Sequence, residues 1–152
     1  MEEGTVTRAS LAEIKAHAEE TYPDECCGVV VGHRDGTQAV VRLRNVQDEM
    51  HRKDPERYPR TARIAYTPHA QDFKRAHELW EQPGNRLVAF YHSHPEHDAY
   101  FSAEDLAQAT PFGEPSYPEA LQVVVSVRAA KAVDAKAFSW SEDAITYVES
   151  AL

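Results

Sequence analysis

An apolar run that ends in two histidines is the feature that most constrains what this chain can fold into. The apolar residues 87–90 lead directly into the tetrapeptide HSHP, which begins at His92. Short apolar runs are typical of strands buried in a sheet, so the pattern predicts a central strand over residues 86–92. Successive side chains on a strand point to opposite faces, so His92 and His94 share a face and Ser93 lies on the other. Two imidazoles on one face can converge on a metal ion.

A second polar cluster begins a short helix predicted over residues 102–109. Ser102 and Asp105 are three positions apart, which is the spacing of a capping box with serine as N-cap and an acid at the third helical position. Alternatively, Asp105 is a third metal ligand, since two imidazoles and one carboxylate form a catalytic zinc site with a fourth position left for water. Spacing alone leaves both interpretations open. We expect Pro95 to interrupt the strand pairing and leave this strand end open to a ligand.

Two acids before the first predicted strand are candidates for a catalytic base. Hydrolysis at a metal site needs a group that takes a proton from water. Asp24 and Glu25 could do this, and spacing does not choose between them; solvated acids at a helix end are the structural alternative. His97 lies in the loop beyond the proline, so we expect it to be solvated or to face the substrate.

The rest of the chain predicts helices and strands that alternate in a mixed α/β domain. Ser10 with Glu13 resembles a capping box, and Thr67-Pro68 is typical of an N-cap followed by proline at the first helical position. These signals predict helices from Ser10 to about residue 22 and from Thr67 to about residue 82. Further strands are predicted over residues 26–32, 38–46, 63–66 and 121–127, near Phe138, and over 145–148, with a loop over 47–62. We expect a single domain, residues 1–152, with one mixed sheet flanked by helices.

Charge and hydrophobicity exclude several classes of protein. The 152-residue chain carries a formal net charge of −9, and such an acidic chain repels phosphate backbones, so we expect no nucleic-acid partner. No apolar stretch is long enough to span a bilayer, which predicts no membrane partner. The N-terminus is acidic and polar and does not read as a signal peptide, so a cytoplasmic location is expected. Cys26 and Cys27 are adjacent and could pair only with strain, which predicts reduced thiols.

The combined motif resembles the signature of the JAMM/MPN metallopeptidases. The residues HSHP, six more residues, Ser102, two residues and Asp105 match the family pattern H-[ST]-H-P-x6-S-x2-D. Upstream, the stretch ECCG from Glu25 to Gly28 is similar to the glutamate-bearing first strand of that family. The resemblance covers most of the chain, and the combined motif is far more specific than any of its parts.

The resemblance implies a fold, a cofactor and a role for each residue of the motif. His92, His94 and Asp105 would hold Zn²⁺, with water in the fourth place. Glu25 would be the general base that activates this water and then protonates the leaving amine, while Ser102 would hydrogen-bond the oxyanion. The implied fold is a mixed sheet between helices, like that of the cytidine deaminases.

The resemblance also implies a substrate class. The short chain is similar to compact bacterial members, some of which cleave residues from the C-terminus of ubiquitin-like sulfur-carrier proteins. We therefore expect a zinc-dependent peptidase or isopeptidase that hydrolyses an amide at the C-terminal tail of a ubiquitin-like or sulfur-carrier protein. The alternatives are a non-catalytic MPN-type protein-binding module and a zinc hydrolase of another small amide. The charged segment 47–62 is long for a compact member and leaves the substrate groove undefined.

Overall fold

One mixed sheet organises the molecule in the computed structural model, which describes residues 5–152. Along that part of the chain the strands are β1 (Cys27–Gly32), β2 (Gln38–Leu43), β3 (Arg86–Pro95), β4 (Leu121–Arg128), β5 (Lys131–Ser141) and β6 (Thr146–Ser150). They lie in the order β2-β1-β3-β4-β5-β6. β3 and β4 pair in parallel, and the other neighbours are antiparallel. The mixed α/β fold predicted from the sequence is thereby confirmed.

Helices cover both faces of this sheet. They are α1 (Arg8–Thr21), α2 (Gln47–Lys53), α3 (Ala70–Trp80) and α4 (Ala103–Ala109). In β1, Val30 belongs to the core cluster that contains Ile14 of α1, whereas Val29 belongs to the cluster that contains Ala76 of α3. Because side chains alternate along a strand, the apolar run of β1 supplies both cores at once.

Side chains alternate in the same way along β3. The face that packs against α1 is called the scaffold face, and the opposite face carries His92 and His94. Tyr91 packs into the α1 cluster and shares a hydrogen bond of 2.7 Å with His17 Nδ1. Phe90 lies on the other face, against the α3 cluster. Gly28 pairs with Tyr91 across the β1–β3 ladder, and a Cβ atom at that position would overlap the tyrosine ring. Glycine is therefore required at position 28 by the close approach of the ring.

Both predicted helix starts were placed wrongly. The first helix begins at Arg8 and is capped by Thr7, whose side chain accepts a hydrogen bond from the backbone amide of Ser10. Ser10 is thus inside the helix rather than its N-cap. The second predicted helix begins after His69, whose imidazole accepts from the amide of Gln71. Thr67 instead donates its hydroxyl hydrogen to a glutamine side chain of α2, so tertiary contacts override the local capping signal.

Two segment predictions between residues 47 and 66 were also wrong. The predicted loop over residues 47–62 contains α2, which has two acids in its first turn and three basic residues in its last turn. That arrangement matches the helix macrodipole. Residues 63–66 form a turn and irregular backbone rather than a strand.

Pro95 does not interrupt β3, contrary to the prediction. It remains in the strand and pairs with Val127 of β4. Successive backbone amides of β3 point alternately towards β1 and towards β4. Ser93 donates to Cys26 on the β1 side, and Glu96 donates to Val127 on the β4 side. The nitrogen of Pro95 therefore faces the side on which β1 has already ended, where the missing N–H costs no ladder bond.

The remaining predicted strands lie close to their positions in the structure. The strands predicted over 121–127, near Phe138 and over 145–148 correspond to β4, β5 and β6. Cys26 and Cys27 are buried free thiols. Across residues 5–152, no helix combines the length and apolar character needed to cross a lipid bilayer.

Candidate active site

Three predicted ligand atoms meet at the end of β3. Nε2 of His92 lies 3.2 Å from Nε2 of His94, and each of these nitrogens lies 3.1 Å from Oδ2 of Asp105. All three residues are buried. The strand alternation that predicted a common face for the two imidazoles therefore brings them together, and the first turn of α4 brings the carboxylate to them.

The capping box of α4 holds Asp105 in this position. The Asp105 amide donates to the Ser102 hydroxyl over 3.0 Å, and the Ser102 amide donates to Asp105 Oδ2 over 3.0 Å. The capping prediction is confirmed, and it does not compete with the ligand interpretation. The oxygen that completes the capping box is the same oxygen that faces both histidines, so the helix cap positions the carboxylate at the site.

The hydrogen-bond partner of Nδ1 shows which ring nitrogen of His94 carries a proton. Nδ1 of His94 lies 2.9 Å from the backbone oxygen of Asp98, which can only accept, so Nδ1 carries the N–H. With a proton on Nδ1, the neutral form of the ring has a free lone pair on Nε2, which is the atom able to ligate a metal ion. Nε2 of both histidines and Oδ2 of Asp105 converge in one buried cluster, and a metal ion bound by the three side chains would satisfy all three atoms at once.

The spacing of the three atoms fits zinc. Tetrahedral coordination with ligand bonds of about 2.0–2.1 Å places neighbouring ligand atoms roughly 3.3 Å apart. The observed separations of 3.1 to 3.2 Å are close to that value. Two imidazole nitrogens and one carboxylate oxygen are also a donor set that zinc prefers. The buried Nδ1 of His92 has no hydrogen-bond partner among the described residues, which leaves its Nε2 as the atom directed at the cluster.

The charge state of Asp105 reflects the same contacts. Burial alone would raise the pKa of this carboxyl group. Attraction to the cationic form of His92 and hydrogen bonds from both histidines and the Ser102 amide outweigh burial and hold the pKa well below its usual range. Asp105 is therefore an ionised carboxylate, which is the form that ligates a metal.

A cavity of about 160 Å³ opens onto the cluster, and Glu25 forms part of its wall with His94, Ser102 and Asp105. Burial raises the pKa of Glu25 to about 9, with a further increase from the negative charge of Asp105, while Arg60 opposes the rise. A buried acid with a strongly raised pKa beside a possible metal site is a candidate proton carrier. Asp24, the other acid considered from the sequence, is not among the residues that line this cavity.

Sequence patterns did not reveal several residues of the cavity. The ring of Tyr66 stacks on His92 with a centroid separation of 4.8 Å, and the ring of Tyr100 meets His94 edge-on at 5.1 Å. Arg60 also lines the cavity. Tyr66 and Arg60 come from the segment between α2 and α3, which has no periodic pattern that could have identified them.

His97 lies at the mouth of the site as an exposed side chain. It is exposed and lines the cavity, but it does not belong to the group of side chains able to share one metal ion. This placement matches the expectation from its position in the loop beyond the proline.

Comparison with known proteins matches residues 7–141 to the family of prokaryotic homologs of the JAB domain. A curated relative from Haloferax volcanii, named desampylase, is 33% identical over 117 residues, which span 70% of this chain and 76% of the relative.

Two solved structures share the fold over nearly the whole chain. A protein from Salinibacter ruber, solved in solution, superposes with a TM-score of 0.62 at 29% identity and covers 96% of this chain and 88% of its own. A protein from Desulfitobacterium hafniense, also solved in solution, gives a TM-score of 0.65 at 23% identity, with coverage of 95% and 88%. The second likeness concerns the fold alone.

Proposed function

This chain belongs to the family of prokaryotic JAB-domain proteins, and from that premise we propose that it is a zinc-dependent peptidase or isopeptidase. Its substrate would be an amide at the C-terminal tail of a ubiquitin-like or sulfur-carrier protein. The observation that carries the proposal is the buried triangle of His92, His94 and Asp105, of which the last two line one cavity together with Glu25. A protein-binding module has no need for three buried metal-ligating side chains in mutual contact beside a protonatable acid.

His92, His94 and Asp105 would hold the zinc ion, through Nε2 of each imidazole and Oδ2 of the carboxylate. When bound there, zinc supplies Lewis-acid activation of the scissile carbonyl and of an attacking water at neutral pH. The chain positions these ligands from two rigid elements, the end of β3 and the first turn of α4. Ligands on such elements keep their geometry because the strand ladder and the helix cap fix both backbones.

Glu25 is proposed to carry the proton. Its raised pKa makes the carboxylate a strong proton acceptor once the positive charge of a bound metal offsets the repulsion from Asp105. Glu25 would take a proton from the attacking water and deliver it to the leaving nitrogen, which must be protonated to depart as an amine. The cavity gives water and substrate access to this side chain, whereas the backbone of Glu25 is fixed by hydrogen bonds to Ala62 and Asn45.

Ser102 is proposed to stabilise the oxyanion. Its hydroxyl oxygen accepts from the Asp105 amide as the helix cap, so its own hydrogen remains available to donate into the cavity. A donor aimed at the carbonyl oxygen as charge develops lowers the barrier more than it strengthens substrate binding.

The substrate class is supported by the desampylase relative. That protein is 33% identical to this chain over 117 residues, which span 70% of the chain. A cavity bounded by Ile64 and Tyr100, which are both partly exposed, suits an extended tail better than a folded surface. We propose that the tail of the carrier protein lies in this cavity and that the attached group leaves as the amine.

The proposal is tested with the zinc-loaded full-length chain and fusions of a ubiquitin-like or sulfur-carrier protein to a reporter through its C-terminal tail. We expect cleavage at the end of the tail, abolished by a chelator and restored by added zinc. Glu25→Gln keeps the shape of the side chain but removes the proton carrier. It should lower kcat by roughly 10²–10⁴-fold while one zinc per chain remains bound.

The matched control is Asp24→Gln, which changes the neighbouring acid outside the cavity and should leave kcat within about twofold of wild type. A zinc-loaded wild-type chain that cleaves no fusion would overturn the proposed reaction. Full activity in Glu25→Gln would overturn the role of that residue.

A further inference from the structure

We propose that a second cavity, adjacent to the candidate active site, is a specificity pocket for one aromatic or large aliphatic side chain of the substrate. The inference rests on the proposed peptidase function and adds a preference that it does not specify. The cavity measures about 200 Å³ and is bounded by the aromatic side chains of Phe73, Phe90, Tyr117 and Tyr147.

The pocket and the candidate metal ligands share one face of β3. Phe90 precedes His92 by two residues, so both side chains project from the same side of the strand. Two residues of strand span roughly 7 Å. An extended substrate chain advances by a similar distance over two of its own residues. A substrate lying along this face with its scissile bond at the histidines therefore places a side chain two residues away over the pocket.

A thin wall separates the two cavities. Tyr66 and Gln108 line both of them, and the Gln108 side chain donates to the backbone oxygen of Tyr66 over 3.2 Å. The tyrosine ring also stacks on His92. Because the wall consists of one exposed glutamine of α4 and one tyrosine, the two cavities lie side by side, and a ligand in one is adjacent to the other.

The lining of the pocket fits an apolar side chain. Phe90 lies 5.2 Å from Tyr117 and 6.3 Å from Phe73 between ring centroids, so the rings form a continuous wall. Gln122 and Tyr147 also line the pocket and contribute uncharged polar groups to its wall. None of the described residues that line this pocket is charged. A charged side chain would therefore lose its hydration there without gaining a partner.

The size of the pocket matches a single ring. An apolar cavity of about 150 Å³ is sufficient for a benzene molecule, and this one is larger. The first cavity differs in chemistry, since Arg60, Glu104 and two of the candidate metal ligands, His94 and Asp105, line it. The two adjacent cavities thus combine a polar space suited to the reacting amide with an aromatic space suited to a side chain.

The test uses a set of peptides in which glycine or phenylalanine is placed in turn at each of the four positions on either side of the cleaved bond. The zinc-loaded wild-type chain should prefer phenylalanine over glycine at a position two residues from the bond. The expected preference in kcat/KM is roughly tenfold to 200-fold, the range that apolar pocket contacts give.

Ser116→Trp is the variant that fills the pocket. Ser116 lines the pocket, but its side chain is exposed, so the larger ring can enter without displacing the core. It should reduce the phenylalanine preference to about twofold or less and leave cleavage of the all-glycine peptide within about twofold. Glu114→Trp adds the same ring in the same exposed loop outside the pocket and should keep the preference.

A binding measurement separates failure of the pocket from failure of the proposed reaction. The probe is N-acetyl-4-fluorophenylalanine amide, followed by ¹⁹F NMR line broadening. We expect broadening with wild type and Glu114→Trp but not with Ser116→Trp. Broadening without cleavage of any peptide or fusion would support the pocket and overturn the peptidase proposal. Cleavage without broadening, or a phenylalanine preference that survives in Ser116→Trp, would overturn the pocket.

Discussion

The two faces of β3 both bury polar side chains, but they bury them in different ways. On the α1 face, the Tyr91 hydroxyl and the His17 imidazole satisfy each other over 2.7 Å. On the opposite face, His92 and His94 meet the carboxylate of Asp105 in a cluster of three potential metal-ligand atoms. The first pair is a simple hydrogen bond between two partners, whereas the second arrangement brings together three side chains able to share one metal ion.

The contacts that a buried histidine makes distinguish a structural residue from a site residue more reliably than its burial does. His17 and His92 are both buried, and both lie beside a tyrosine ring. Burial lowers the pKa of His17 to about 4, with a smaller contribution from Arg42, so the ring stays neutral and structural. The informative observation on the other face is the convergence of three potential metal-ligand atoms near Glu25, a buried acid whose pKa burial raises to about 9.

The largest effect is expected when a candidate metal ligand is changed, because the difference between the two faces of β3 depends on these residues. His94→Ala should abolish stoichiometric zinc and reduce turnover to background, because two ligands cannot hold the ion that three hold. Metal content after dialysis, measured by mass spectrometry, checks this. His97→Ala is the matched control, since His97 lines the same cavity without belonging to the cluster, and it should keep one zinc per chain. Loss of zinc in the His97 variant instead would mean that the ligand set is misassigned.

A smaller loss of turnover than at the metal ligands is expected at Ser102, which is both the N-cap of α4 and a residue of the candidate site. Ser102→Ala should cost about 1 kcal/mol of stability through the lost cap. It should cost roughly 10²-fold in kcat through the lost oxyanion donor. Zinc should stay bound, because Asp105 Oδ2 accepts from the backbone amide at position 102, which alanine retains.

Ser102→Asp is the control for capping. Aspartate restores a helix cap but places a carboxylate where a donor is needed, so stability should recover while turnover does not. Calorimetry and steady-state kinetics on both variants separate the two roles. Normal turnover in a folded, zinc-loaded Ser102→Ala chain would leave this serine as a cap only.

The smallest effect on turnover is expected on the scaffold face, at His17. Its folded pKa of about 4 lies below the ordinary value of 6.5, so the unfolded chain binds the proton first as the pH falls. The stabilising contribution is therefore present above pH 6.5 and is lost as the pH falls through 4. It amounts to about 2–3 kcal/mol.

His17→Gln cannot take up that proton and can still hydrogen-bond the Tyr91 hydroxyl. Denaturant unfolding at pH 7 and pH 4 should show a shallower loss of stability in the variant. Its turnover at pH 7 should remain within about twofold of wild type. An unchanged pH dependence would show that protonation of another group controls acid unfolding.

The sequence was sufficient for most of the candidate site because its residues are close together along the chain. His92 and His94 needed only strand alternation, and Ser102 and Asp105 needed only the spacing of a capping box. Glu25 could not be chosen over Asp24, since that choice depends on how β1 pairs with β3. In the structure Cys27 lies opposite His92, and Glu25 precedes it by two residues on the same side.

What the sequence could not supply depends on tertiary contacts. The segment that carries Arg60 and Tyr66 is fixed by side chains of α2, where Gln47 donates to the Arg60 carbonyl and Asp48 accepts from the Ala62 amide. These hydrogen bonds produce no periodic pattern in the sequence, which is why the sequence predicts a loop where α2 lies. The capping signals at Ser10 and Thr67 failed for the same reason, since competing partners elsewhere decided where each helix begins.

The missing side chain at Gly28 has a consequence for the accuracy of strand pairing. A slip of β1 by one residue against β3 would place a Cβ atom, from Cys27 or Val29, where the Tyr91 ring now lies. Such a slip would also turn the Glu25 side chain towards the opposite face. The mispaired sheet is thus penalised by a steric clash on one face, and on the other face it would lose Glu25 from the candidate site. The Tyr91 ring on the scaffold face therefore favours the strand register that keeps Glu25 beside the candidate metal ligands.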